Sequence, residues 1–214
     1  MVGDPIKTDL RKFSYKNFYE LDKGFDFYAP QTYEDDQHRR IMFGWLGNSK
    51  SEYPTDKNNW AHMLTMPREL WIDGEYILQK PLEELKGLRK NKRILQNSQN
   101  LTSSSFELEC HVEGSFEIIL SNEDGDSVSF SGNEEDYCFD RGNMTYVYAE
   151  KFGTVRWAKR LEQSQILRIF ADRSSLEIFC DNGKTVFTSR VFLSSPSHLS
   201  VKGAEGNLYD LIPS

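Results

Sequence analysis

Phe106-Glu107-Leu108-Glu109-Cys110-His111-Val112 alternates apolar and polar residues without a break. Successive side chains of an extended chain leave on opposite faces, so a period of two marks a half-buried strand, with Cys110 inward and Glu109 toward solvent. Phe116, Ile118 and Leu120 continue the period on the next segment. Further strands are expected over 127–131, 145–149, 166–171, 176–180 and 185–192. Glu123-Asp124-Gly125-Asp126, Asp140-Arg141-Gly142-Asn143 and Asp181-Asn182-Gly183-Lys184 supply turn chemistry between them. Many short strands punctuated this way predict a two-sheet antiparallel β-sandwich.

Working toward the N-terminus, Arg40-Ile41-Met42-Phe43-Gly44-Trp45 follows the turn-like Glu34-Asp35-Asp36-Gln37 and reads as a buried strand. Leu70-Trp71-Ile72 and Tyr76-Ile77-Leu78 flank Asp73-Gly74, which predicts an antiparallel hairpin. One short helix is expected over 81–92. Pro81 suits its first position, Glu83 and Glu84 the positive end, and Arg89 and Lys90 the negative end. Leu82, Leu85 and Leu88 would form its apolar stripe. The polar run from Asn91 to Ser105 then leads into a second domain. The expected organisation is all-β: 1–80, a linker helix over 81–92, and a sandwich over 93–214.

Composition narrows the function classes. Of 214 residues, 38% are hydrophobic and 13% aromatic, enough apolar area for a folded core. The net charge of −7 argues against a face that tracks nucleic-acid phosphates. The one basic cluster, Lys86 to Arg93, alternates with leucines and reads as a solvated face. No apolar run approaches the roughly 20 residues that span a bilayer, so no membrane partner is expected. Met1-Val2-Gly3-Asp4-Pro5 does not resemble a signal peptide, and a cytoplasmic location is expected. Cys110, Cys138 and Cys180 are odd in number and widely spaced, which suits reduced thiols. His38, His62, His111 and His198 lack metal-ligand spacing, and neither a phosphate loop nor a nucleophile elbow is present. No metal and no cofactor are expected.

Three ordered landmarks then suggest a family. The first is Leu21-Asp22-Lys23-Gly24-Phe25-Asp26-Phe27-Tyr28-Ala29-Pro30-Gln31, with Thr32-Tyr33. The second is Gly44-Trp45, Tyr53-Pro54-Thr55 and Trp60, closing on Met66-Pro67-Arg68-Glu69-Leu70. The third is Asp172-Arg173-Ser174-Ser175-Leu176-Glu177-Ile178-Phe179, with Asn182-Gly183 and Thr188-Ser189-Arg190. In this order they resemble glycoside hydrolase family 32, the sucrose-6-phosphate hydrolases and invertases (β-fructofuranosidases), from about Asp22 onward.

The resemblance implies the last blade or blades of a five-bladed β-propeller followed by the sandwich, with retaining hydrolysis of a β-fructofuranosyl bond. It implies no cofactor. The family's nucleophile, transition-state stabiliser and general acid sit in Asn-Asp-Pro-Asn, Arg-Asp-Pro and Glu-Cys-Pro motifs, none of which occurs in these 214 residues. Gly3-Asp4-Pro5 and Glu109-Cys110 are near-misses and are not read as catalytic. The expectation is therefore the C-terminal portion of such an enzyme, a cloned fragment or the product of a split or truncated gene, with no catalytic residue of its own and inactive alone. Asp22, Asp26, Tyr28 and Trp45 match positions at the wall of the family's sugar pocket and are the candidate substrate-binding residues. Read without the family, Tyr28 and Trp45 are core aromatics and Asp22 caps a turn at Gly24. Arg68-Glu69 is expected to pair as ions, and Asp172, Arg173 and Glu177 to form a structural network. Sucrose or sucrose 6-phosphate is the expected ligand of a complete propeller. Self-association or an N-terminal partner chain is expected too, with Phe13, Tyr15, Phe18 and Tyr19 shielding part of the cut surface. Two alternatives stay open: a non-catalytic carbohydrate-binding sandwich, and a structural partner for another chain's propeller.

Overall fold

The computed structural model describes residues 18–212, and the backbone alone of Gly3–Pro5 (β1) and Phe13–Tyr15 (β2), which pair antiparallel. Five strands follow in a small antiparallel sheet: β3 (Tyr28–Glu34), β4 (Arg40–Leu46), β5 (Met63–Leu64), β6 (Arg68–Asp73) and β7 (Tyr76–Pro81), in the order β3-β4-β6-β7 with β5 also on β4. The hairpin at Asp73-Gly74 is present: Asp73 lies opposite Tyr76, and Gly74 takes the positive φ of +60° such a turn requires.

The remaining strands are β8 (Arg89–Ile94), β9 (Ser98–Asn100), β10 (Ser105–Ser121), β11 (Ser127–Gly132), β12 (Asp136–Asp140), β13 (Val155–Lys159), β14 (Ser164–Asp172), β15 (Ser175–Cys180), β16 (Thr185–Arg190) and β17 (His198–Leu211). They form one continuous ten-stranded antiparallel sheet, not two separate ones. The 17-residue β10 explains this. Its first half pairs with β14 and its second half with β11, and the register shifts between Val112 and Glu117 on its pairing with β17. Gly114, at φ +68°, sits in that bend. The two halves carry β14-β15-β16 and β11-β12-β13 face to face around one core. Phe187 of β16 meets Phe130 of β11 edge to face at 5.3 Å. The alternation over 106–112 thus marks half of one longer strand.

Several expectations change. The segment 145–149 is loop, whereas β12, β13 and β17 are strands that the sequence reading did not pick out. The expected α-helix is a 3-10 segment, Glu83–Leu88, and Arg89 already begins a strand on β17. Arg89 is drawn there by side-chain pairing: its Nε and Nη2 donate to Glu107 at 2.7 and 2.6 Å. Glu107, on the nominally polar side of β10, is fully buried beneath Arg89 and Arg168, whose Nε donates to it at 2.8 Å. Glu109 accepts from Arg89 as well. All three cysteines are free, Cys110 and Cys180 buried and Cys138 half-buried. Among the described residues no helix is long and apolar enough to cross a membrane.

Candidate functional site

β16 ends the strand path of the large sheet, and an end strand exposes unpaired backbone groups. Here the chain entering the small sheet covers it. Lys23 N–H donates to Val186 O at 2.7 Å and Phe25 N–H to Thr188 O at 2.8 Å. The approach is close enough that a Cβ on Gly24 would lie 2.1 Å from Thr188 O. Gly183 plays the same part further along the seam, where its Cβ would lie 2.3 Å from Gln79 O.

Two buried charge groups fasten this seam. Arg68 is fully buried. Its Nη1 donates to Gln79 Oε1 at 2.9 Å and Asp22 Oδ2 at 3.2 Å, and its Nη2 to Glu177 Oε2 and Thr188 Oγ1, both at 2.6 Å. Asp22 also accepts the N–H of Gly24 at 2.9 Å and of Thr188 at 3.0 Å. In the second group Asp26 Oδ2 accepts from Arg141 Nη1 at 2.5 Å and from Arg190 N–H at 2.9 Å, and the Arg141 guanidinium lies 3.8 Å from the Phe25 ring centroid. Burial pushes the carboxyls of Asp26 and Glu177 up, and the adjacent arginines oppose that shift.

The expected Arg68–Glu69 pair does not form. Neighbours in a strand face opposite sides, and Glu69 instead pairs with Lys80 at 3.2 Å. Of the expected network at 172–177 only Glu177 joins the seam. Asp172 accepts from Ser105 Oγ at an exposed position. The Arg173 side chain has no polar partner among the described residues, and its backbone is left-handed at φ +53°.

Tyr28 and Trp45 do come together, on paired positions of β3 and β4, with ring centroids 6.1 Å apart and an interplanar angle of 72°. They line a cleft of about 290 Å³ with Phe25, Phe27, Asn48 and Lys50. The large sheet supplies one wall, Phe152. Its 146–152 segment also fixes the loop beside Trp45: Asn48 N–H donates to Tyr53 OH at 2.8 Å and Tyr148 OH at 3.1 Å, and Lys151 Nζ donates to Lys50 O at 2.6 Å. Asp22 and Asp26, also expected at the sugar-pocket wall, do not line this cleft. Their carboxylates turn into the seam because Arg68 and Arg141 stand there. The turn cap of Asp22 on Gly24 is formed. The parts that Arg141, Arg190 and Phe152 play at the seam and cleft escape a sequence reading, since the residues they meet there, Asp26 for the arginines and Tyr28 and Trp45 for Phe152, lie more than a hundred positions away.

Among the described residues no Asp or Glu lines the cleft. Tyr28 is 66% exposed and Trp45 half-buried, so one ring face is available for stacking on a flat apolar ligand face. The side chains of Gly3-Asp4-Pro5, Phe13 and Tyr15 lie outside the described residues. Phe18 is exposed, whereas Tyr19 packs on Tyr76 at 5.7 Å and accepts the Ile77 N–H.

Residues 1–81 match the N-terminal domain of glycosyl hydrolases family 32, and residues 78–209 match the family's C-terminal domain. A sucrose-6-phosphate hydrolase of Vibrio alginolyticus is 39% identical over 207 residues, covering 96% of this chain and 43% of that protein. A second, of Bacillus subtilis (strain 168), is 36% identical over 211 residues, covering 94% and 44%. The solved sucrose-6-phosphate hydrolase of Lactobacillus gasseri superposes with a TM-score of 0.87 at 27% identity, over 98% of this chain and 46% of that one. A GH32 beta-fructofuranosidase of Bombyx mori gives 0.77 at 26%, over 99% and 47%. The chain spans less than half the length of each of these relatives.

Proposed function

Because this chain belongs to glycosyl hydrolases family 32, we propose that it supplies the C-terminal part of an enzyme hydrolysing the β-fructofuranosyl bond of sucrose or sucrose 6-phosphate. In this reading residues 1–80 are the last blade or blades of a five-bladed propeller, 81–92 the connection, and 93–214 the accessory sandwich. Tyr28 and Trp45 form part of the sugar pocket's wall. Asp22 and Asp26 hold that wall from behind, through the seam. The observation that carries the reading is the aromatic cleft built by paired strands, open to solvent and, among the described residues, free of carboxylates. A retaining glycosidase needs an acid and a nucleophile about 5–5.5 Å apart, so these must come from residues outside this sequence.

The test joins this chain to an N-terminal segment carrying the three missing motifs and measures release of fructose. Alone, the chain should give background rates with both sugars; the joined pair should turn over. Trp45→Ala in the pair should lower kcat/KM by an amount equal to about 1–3 kcal/mol of transition-state stabilisation. Turnover by the homogeneous chain alone, abolished in Asp22→Asn, would place the chemistry elsewhere.

The same reading includes self-association or a partner chain. Leu64 and Ile72 are 62% and 65% exposed on the small sheet, along with Tyr28 and Tyr33. Such a surface favours a covering partner. Light scattering should detect assemblies larger than one chain, and a stable monomer at high concentration, with no binding of an apolar dye, defeats the idea.

A further inference from the structure

A second cavity, of about 600 Å³, opens between the loop 54–60 and three segments of the large sheet, 101–104, 173–174 and 192–197. It belongs to neither the aromatic cleft nor the charged groups that fasten the seam. Its size falls within the 300–1,000 Å³ typical of small-molecule sites. Two features make it chemically distinctive.

The first is charge. Lys57 and Arg173 line it, and neither side chain has a hydrogen-bond or ion-pair partner among the described residues. Arg190 lies fully buried behind the lining. Its Nη1 donates to Ala61 O and its Nη2 to Ser174 Oγ, each at 2.9 Å; among the described residues no carboxylate pairs with its guanidinium, and Asp26 accepts only its backbone N–H. Two cations therefore line the cavity, with a third buried behind Ser174, on a chain of net charge −7. Of the neighbouring carboxylates, Asp56 accepts the Tyr53 N–H and Asp172 accepts Ser105 Oγ. The second feature is an aromatic face among hydroxyls. Trp60 is 42% exposed, with the Arg190 guanidinium 5.7 Å from its ring centroid. Ser103, Ser104, Ser195 and Asn58 surround the opening. Three residues beside the cavity hold left-handed backbone without being glycine: Asn59 at φ +61°, Arg173 at +53° and Ser195 at +46°. Such conformations are unfavourable and persist where the surroundings impose them.

An indole stacks on the apolar face of a pyranose or furanose, hydroxyls and amides exchange hydrogen bonds with its OH groups, and clustered cations hold a phosphate ester. We propose that this cavity is a second binding site, for a phosphorylated sugar, separate from the Tyr28–Trp45 cleft. It does not depend on hydrolysis and is testable on the chain as it stands.

The chain carries four tryptophans, so 5-fluorotryptophan labelling gives four fluorine resonances, assigned by single Trp→Phe variants. Titration with sucrose 6-phosphate should shift the Trp60 signal saturably, at least tenfold more tightly than either sucrose or inorganic phosphate. Lys57→Gln and Arg173→Gly should each weaken binding tenfold or more. Glycine accepts the backbone conformation of residue 173 without strain, so that variant keeps the fold while removing the cation. Absence of a saturable shift at Trp60 overturns the proposal, as does a shift at Trp45 in its place. Equal affinity for phosphate alone removes the sugar face, and equal affinity for sucrose, or undiminished binding in both variants, removes the cationic one. Each of these results also overturns it.

Discussion

β3 and β16 are end strands of their sheets and could hardly differ more. All seven residues of β3 are exposed, while all six of β16 are buried. Composition alone does not account for this, since four of the six buried residues of β16, Thr-Val-Phe-Thr-Ser-Arg, are polar, while β3 exposes two tyrosines. β16 is buried because residues 22–26 run along its edge and Arg68 reaches across to its neighbour β15, while Phe187 fills the core of the large sheet. No described residue does this for β3. Exposure at a sheet's end therefore reports what lies against it more than what it is made of. Along the seam with β16, polar side chains such as Arg68, Thr188 and Glu177 are buried where the two sheets meet.

If buried charge joins the sheets, its removal should have the largest effect. Arg68→Ala leaves Asp22 and Glu177 buried without their cation, and should cost about 3–5 kcal/mol in chemical denaturation. Hydrogen exchange should rise over residues 28–34 and 68–81 while 105–121 stays protected. A uniform rise across both sheets would mean that they unfold as one unit, and the contrast between them would fail. Glu177→Gln keeps an acceptor for the Met66 N–H but loses the ion pair, and should cost less, about 1.5–3 kcal/mol. It should have little direct effect on turnover in the joined enzyme. Lost turnover in a well-folded variant would move the chemistry toward the large sheet.

The smallest effect concerns the thiols. Burial pushes Cys110 up to about 12 and Cys180 well above its ordinary value, while Cys138, on the half-exposed β12, is raised less. Only the thiolate reacts, and its fraction grows with pH below the pKa. Native protein should therefore label at Cys138 alone, at a rate rising about tenfold per pH unit from pH 7 to 8. Labelling of Cys110 under native conditions would show that the core of the large sheet opens.

Local rules made the strand content readable. The alternation from Phe106 to Val112, the apolar run at Arg40–Trp45 and the Asp73-Gly74 turn each need only neighbours in sequence to act, and each gave a strand or hairpin where expected. The same rules fail where a distant partner outweighs them. Leu82, Leu85 and Leu88 carry helical spacing, yet Arg89 leaves the helix for Glu107, 18 positions on, and the backbone follows it onto β17. Between β12 and β13 the turn chemistry at Asp140-Arg141-Gly142-Asn143 is legible, but the strand expected after it, over 145–149, is loop, and β13 begins only at Val155.

The candidate site divides in the same way. Tyr28 and Trp45 could be named from the sequence because a family pattern carries them, and strand pairing brings them face to edge. That pattern could not show that Asp22 and Asp26 would turn away from the cleft. Their orientation is set by Arg68 and Arg141, 46 and 115 residues distant, since a buried carboxylate is tolerated only beside a cation and donors that replace its water. The sequence by itself determined an all-β chain of the family and two aromatics of the cleft. Tertiary structure alone decided which charges are buried and which face solvent, because the energy of a charge depends on what surrounds it rather than on its neighbours along the chain.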